Sequence, residues 1–269
     1  MELKIINKEN QAIGKKKMPE QFSEEVREDL IKRAVLAIQR NKRQSYGASY
    51  GAGMRQSAKL SRRRRDYKGS YGLGISRVPR KILSGKGTRW NWVGAVAPGT
   101  VGGRRAHPAK PFKIWEVKLN KKERRKAIRS ALSATMKKEL VIARGHKIPD
   151  NYPFLMSDEI ENISKTKELI QTLTILGFGA ELERTTEKKI RAGKGKSRNR
   201  KYIRKKCILI IVSGKCNLQK AAQNIPGIDV VQVEKVNAEL LAPGTKPGRA
   251  TLFSQKAIEL LEKNKIFTG

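Results

Sequence analysis

The residues in this chain whose types and spacing could do chemistry are mostly cations. Arg62, Arg63, Arg64 and Arg65 run unbroken, Arg104 and Arg105 precede His107 and Lys110, and Lys188 to Lys206 (KKIRAGKGKSRNRKYIRKK) holds eleven basic residues and no acid. Groups of this kind neutralise phosphates and release their counterions. Between Gln44 and Trp115 they are interleaved with Tyr46, Tyr50, Tyr67, Tyr71, Trp90, Trp92, Phe112 and Trp115. Rings and guanidinium planes on a flexible backbone are what stacking on unpaired bases and tracking of phosphates require.

Catalytic signatures fail by comparison. Gly69, Gly72 and Gly74 crowd together but follow no strand. Ser213-Gly214-Lys215 lies between a strand and a helix, where a doubly wound sheet would place a nucleotide. It has one glycine where the dinucleotide fingerprint needs three, and it does not fit the Walker pattern GxxxxGK[ST]. Gly85-Lys86-Gly87-Thr88 fails because glycine follows the lysine. His107 and His146 are the only histidines, and His107 sits in an arginine-rich loop, where imidazole meets RNA rather than a metal. Cys207 and Cys216 have neither CxxC spacing nor a histidine nearby and read as small core residues. With no paired carboxylates and no Ser/His/Asp arrangement, the expectation is a protein that is not an enzyme. No cofactor is expected beyond structural magnesium or other cations carried by RNA.

Composition points the same way. The chain has 269 residues, 60 Lys+Arg against 24 Asp+Glu and a formal net charge of +36. Self-repulsion at that charge makes a polyanion part of the native state. A membrane surface is the competing polyanion. No long basic amphipathic helix supports it, and the longest apolar run is the six residues CILIIV, Cys207 to Val212. The start, MELKIINKENQ, lacks an apolar signal region, which predicts a cytosolic location.

The elements that must position these groups fall on either side of Gln44 to Trp115. LKIINKENQAIG reads as a hairpin turning at Asn7 to Asn10. Ser23 is expected to cap a helix with Val26, Leu30, Ile31, Ala34, Val35 and Ile38 on its buried stripe. Asn120 and Glu123 resemble a capping box, opening a helix to about Lys138. Its outer face, Lys121, Lys122, Arg124, Arg125, Lys126 and Arg129, is expected to meet phosphate. Beyond Ile148, strands near 152–156, 207–212, 229–233 and 250–254 alternate with helices from Ser164, over Glu181 to Ile190, over Asn217 to Asn224, at AELLAPG and through Ala257 to Leu261. A near-continuous apolar strand among helices implies a parallel sheet covered on both faces, hence an α/β domain. That domain takes residues 1–43 and 116–269, with 188–206 a second basic loop. Residues 44–115 show no apolar period of two or 3.6 and are read as an extended, irregular insertion. Two arms of about 35 residues at ~3.3 Å each reach up to ~110 Å. A domain of the remaining length has a radius of gyration near ~16 Å, so the insertion is expected to project beyond it.

Particular segments resemble a known family. RxDLIKRAVLAIQRNKRQSYGA (Arg27 to Ala48), SRVPR (Ser76 to Arg80), GGRRAHPAKP (Gly102 to Pro111), NKKERRKAIRSALSAT, RAGKGKSRNRKY (Arg191 to Tyr202), VNAELLAPG and PGRATLFSQKA are similar to the universal large-subunit ribosomal protein four family in its archaeal and eukaryotic form. The resemblance covers nearly the whole chain in order. It implies a Rossmann-like, mostly parallel α/β domain without a nucleotide, and a long loop that penetrates the large ribosomal RNA. It also implies early subunit assembly and a loop tip lining the nascent-peptide exit tunnel beside universal protein twenty-two. Carried onto this sequence, tunnel-lining residues are Gly72, Gly74, Ser76, Arg77, Val78, Pro79 and Arg80. RNA-binding residues are Tyr46, Arg55, Arg62 to Arg65, Arg104, Arg105, His107 and Lys110. Arg191, Lys194, Lys196, Arg198, Arg200 and Lys201 of the second loop bind RNA separately, and Arg124 and Arg125 join them from the helix. Leu73 stands where the family usually has an arginine, and Trp90 and Trp92 inherit no role. The other reading of the same charge is an RNA-binding translational or transcriptional regulator acting outside the ribosome.

Overall fold

A computed structural model describes residues 1–66, 69–86 and 89–268. Two compact units emerge, Met1–Lys42 with Glu116–Gly269, and Arg43–Trp115. In chain order the strands are β1 (Glu2–Ile6), β2 (Ala12–Lys17), β3 (Arg80–Lys86), β4 (Arg89–Gly94), β5 (Leu155–Met156), β6 (Lys189–Ile190), β7 (Tyr202–Ile203), β8 (Leu209–Val212), β9 (Asp229–Gln232) and β10 (Thr251–Ser254). The helices are α1 (Glu28–Asn41), α2 (Lys121–Met136), α3 (Lys138–Ala143), α4 (Thr166–Leu173), α5 (Gly179–Thr186), α6 (Leu218–Ala222), α7 (Ala238–Leu241) and α8 (Gln255–Lys263).

The first unit is built on a six-stranded sheet of order β2-β1-β5-β10-β8-β9. Every pairing is parallel except β1 with β2, a hairpin whose turn is held by Asn7 Oδ1 accepting the Glu9 and Gln11 amides. Because successive strand residues face opposite ways, each strand divides its side chains between two cores. Leu3, Ile5, Leu155, Leu209, Ile211 and Phe253 pack with Ile31, Val35, Ile128, Leu132 and Ile258 from α1, α2 and α8. Ile6, Met156, Ile210, Val212 and Leu252 pack on the other face with Val141, Leu169, Leu173 and Leu218 from α3, α4 and α6. Each such side chain removed from water contributes about 1.5–3 kcal/mol, so the two cores dominate the fold. This is the mostly parallel α/β architecture that the apolar run and the alternating elements imply.

Several boundaries differ from the sequence-based expectation. Ser23 does not cap α1: Glu20–Phe22 form a 3₁₀ turn and the helix starts at Glu28. The Ser130 hydroxyl of α2 accepts the Arg27 amide at 2.6 Å, so the N-terminal donor is satisfied from another helix. Asn120 makes no side-chain cap, and Glu123 pairs with Arg33 at 2.9 Å instead. Arg129 and Lys126 point to Glu24, at 2.7 and 3.7 Å, and Arg129 also donates to Phe267 O; they tie α2 to the chain before α1 rather than lining an open basic face. The helix from Thr166 runs into a π-turn over Thr174–Phe178 with Gly177 at φ 89°, where a Cβ would sit 2.8 Å from Pro149 Cβ. Helix α5 then ends at Thr186, because Lys189 and Ile190 pair with Ile203 and Tyr202 as β6 and β7. Among the described residues no helix is long and apolar enough to cross a membrane.

Candidate nucleic-acid interface

The second unit begins where Asn41 clasps Val117, donating to its carbonyl at 3.3 Å and accepting its amide at 2.9 Å. Just inside, Tyr46 stacks on Trp115 with centroids 6.0 Å apart, and Arg43 lies 4.0 Å over the same indole. Outgoing and returning segments then run together. The Ala48 amide donates to Ala109 O at 2.9 Å, and a Cβ on Gly53 would meet Arg104 Cα at 2.7 Å. Glycine is required at this approach because any side chain would separate the two segments.

Most of the cations carried on this stem are exposed. Arg55 donates to Tyr50 O at 2.6 Å and otherwise stays exposed. Arg62, Arg63, Arg64 and Arg65 surround a turn in which Arg65 has φ 57° and Ser61 bonds the Asp66 carboxylate. Arg105, His107 and Lys110 are exposed, and Arg104 is half-buried. Tyr67 lies outside the described residues.

Residues 71–80 form a second turn. Gly72 and Gly74 have φ of 78° and 64° with open space around them, so they are there for conformation rather than clearance. Arg77 lies 4.6 Å over the Tyr71 ring. Leu73, Ser76 and Arg77 are exposed, Val78 and Pro79 half-buried. Arg80 opens β3, donates to Ser76 O and Oγ at 3.0 and 2.9 Å, and pairs with Lys59. The insertion is thus not irregular throughout, since β3 and β4 form an antiparallel hairpin. Arg80 Nε and Trp92 Nε1 are buried without a hydrogen-bond partner among the described residues, and both residues line a hollow with Leu60, Ser61 and Ile82.

The second basic segment, within the first unit, is also a hairpin. The Arg191 amide donates to Lys201 O at 2.8 Å and its Nε to Arg200 O at 3.1 Å. Lys194, Lys196, Arg198, Arg200 and Lys201 are exposed around the turn, which Gly193 at φ 79° permits. On α2, Arg124 is exposed beside a groove with Ala37 and Asn41, and Arg125 donates to Thr268 O at 3.1 Å.

At the carboxyl ends of the parallel strands, Glu161 occupies the crevice where a doubly wound sheet would hold a nucleotide. Its carboxylate accepts the Ser213 amide at 2.9 Å, the Ser213 hydroxyl at 2.7 Å and the Ser254 hydroxyl at 2.6 Å. The donors that Ser213 could offer a phosphate are therefore committed to an acid of the chain itself.

The ribosomal protein L4/L1 family matches residues 17–264. The large ribosomal subunit protein uL4 of Nanoarchaeum equitans is 50% identical over 268 residues, 99% of this chain and all of that protein. The uL4 proteins of Archaeoglobus fulgidus and Methanothrix thermoacetophila are 41% and 43% identical over 97% and 98% of this chain, covering 98% and 99% of their own lengths. The chain belongs to the ribosomal protein L4/L1 family. It is accordingly a structural, non-enzymatic protein of the large ribosomal subunit, located with the ribosome in the cytoplasm.

Sequence reasoning passed over one feature of this ribosomal protein. Arg144, His146, Arg184 and Arg249 converge at the amino ends of β8 and β10, and no spacing in the chain announces it. Only the burial of a full guanidinium at Arg249, in a stretch otherwise apolar, gives a signal. Arg249 donates to the carbonyls of Cys207 at 2.8 Å, Leu240 at 3.0 Å and Gly227 at 3.1 Å and to Asp229 at 2.6 Å.

Proposed function

We propose that this chain is an RNA-binding scaffold that associates with large-subunit ribosomal RNA and neighbouring ribosomal proteins and joins the particle early. In this reading the segment from Gly72 to Arg80 lines the polypeptide exit tunnel, beside universal protein twenty-two and the passing nascent chain. The observation that carries it is Ala95, the only buried apolar side chain among the described residues of the insertion. A segment without a core cannot offset the conformational entropy of ordering it by packing on itself. Its order must then come from outside. The exposed arginines neutralise approaching phosphates, the glycines let two backbones run together within a narrow RNA passage, and Tyr46, Tyr50 and Tyr71 offer faces to unpaired bases.

The test is crosslinking with mass spectrometry on sedimented large subunits. Links from Ser76 to Arg80 to RNA deep in the particle, or to a nascent chain, are the expected result. Links confined to surface RNA, or a chain found only on one transcript outside the particle, would favour the regulator instead.

A further inference from the structure

A cavity of about 210 Å³ opens at the amino ends of β8 and β10, lined by Arg144, His146, Arg184, Lys206 and Lys246. Two carboxylates face this cluster, and both are already engaged. Glu181, fully buried, takes Arg184 at 2.6 and 2.7 Å, His146 Nδ1 at 2.7 Å and the Lys147 amide at 3.0 Å. Asp229 takes Arg249 at 2.6 Å and Lys206 at 3.0 Å. Arg144, Arg184, Lys206, Lys246 and Arg249 thus exceed Glu181 and Asp229 by three charges. Arg144 bonds only the carbonyls of Pro243 and Lys246, and Lys246 Nζ has no partner among the described residues. Burial, with the like charges of Arg249 and Arg184, pulls the Arg144 guanidinium down to about 10. Arg144 and Arg184 are half-buried, Arg249 is buried, and Lys206 and Lys246 are exposed at the opening; an excess of cations around a space is unfavourable until an anion completes it.

We propose that this cavity binds a phosphate group, held by Arg144, Arg184 and Lys246, and that an RNA backbone supplies it. A free phosphate would satisfy the same groups. The RNA source is favoured because Lys206, which lines the cavity, lies three residues beyond the basic hairpin β6–β7, whose cations are exposed. The site does not depend on where the insertion runs.

His146 and His107 are the chain's only histidines, one on the cavity and one in the insertion, so histidine-labelled full-length protein reports the site by NMR. Titration with inorganic phosphate at constant ionic strength is expected to shift His146 saturably. Lys246→Glu should weaken the apparent affinity at least tenfold, and Lys15→Glu, the same charge change on the exposed edge strand β2, should leave it unaltered. An unmoved His146, or an equal response in Lys246→Glu, overturns the site. Lysine acylation of purified large subunits then separates the sources. Protection of Lys246 that disappears on nuclease digestion identifies an RNA phosphate, and reactivity equal to that of the free chain overturns the RNA source even where inorganic phosphate binds. Absence of the chain from the subunits would instead count against the scaffold reading, leaving the phosphate result standing.

Discussion

A Cβ on Gly47 would lie 2.2 Å from the backbone nitrogen of Pro111, closer than any real contact allows. The neck of the insertion therefore closes only with glycine at this position, since neither backbone can yield without opening the adjacent Ala48–Ala109 hydrogen bond. Gly47→Ala is expected to lower incorporation into large subunits several-fold, while the urea midpoint of the free chain, set by the two cores, stays within error. Quantitative mass spectrometry of sedimented particles checks the first and denaturation the second. A variant incorporated as well as the wild type would show that the neck tolerates separation.

Glu161 satisfies two serines at once, and its removal leaves the Ser213 amide and both hydroxyls facing a half-buried crevice. Hydrogen bonds to a charged group contribute about 1.5–3 kcal/mol each, less what water recovers. Glu161→Ala should cost about 2 kcal/mol, read from urea unfolding. Glu161→Gln, whose amide oxygen can still accept from only part of the set, should fall between. Equal stability of the alanine variant would mean that the crevice is already open to water.

The sheet was legible because CILIIV is short, apolar and flanked by helical patterns, a combination that only a buried parallel strand satisfies. The start of α1 was not. The amide of Arg27 is satisfied by Ser130, 103 positions away, so Ser23 looked like a cap only because its true competitor was distant in sequence. Hairpins β3–β4 and β6–β7 were hidden for a different reason. With neither face buried in a core, their strands carry no alternation to read. The cationic cavity combines residues from Arg144 to Lys246, and local spacing says nothing of a cluster made by four separate segments.

Stability should also depend on acid through Glu181. Burial alone would raise its carboxyl, but hydrogen bonds from Arg184, His146 and the Lys147 amide hold it below its ordinary 4.5; Asp229 is likewise held below 3.8 against burial by Arg249 and Lys206. Below those ordinary values the unfolded chain binds more protons than the folded one, so stability rises with pH across that window. The contribution is fully present above the ordinary carboxylate range and is lost as pH falls through the lowered folded values. Urea unfolding at a series of pH values should show a slope in this range that flattens in Glu181→Gln. An identical slope in the variant would assign the acid sensitivity to other carboxylates.

The free insertion is expected to be mobile, because the charges that order it act on RNA that is absent. Its arginines and lysines then become accessible to trypsin on a backbone that can unfold locally, whereas around β8 and β10 the lysines are exposed but the backbone is held by two packed cores. Brief digestion of the isolated chain should cut between Tyr46 and Lys110 at least tenfold faster than anywhere between Leu209 and Ser254. In assembled subunits the same sites should resist. Equal protection of both regions in the free protein would show that the insertion holds its own fold, and the argument from Ala95 would then fail.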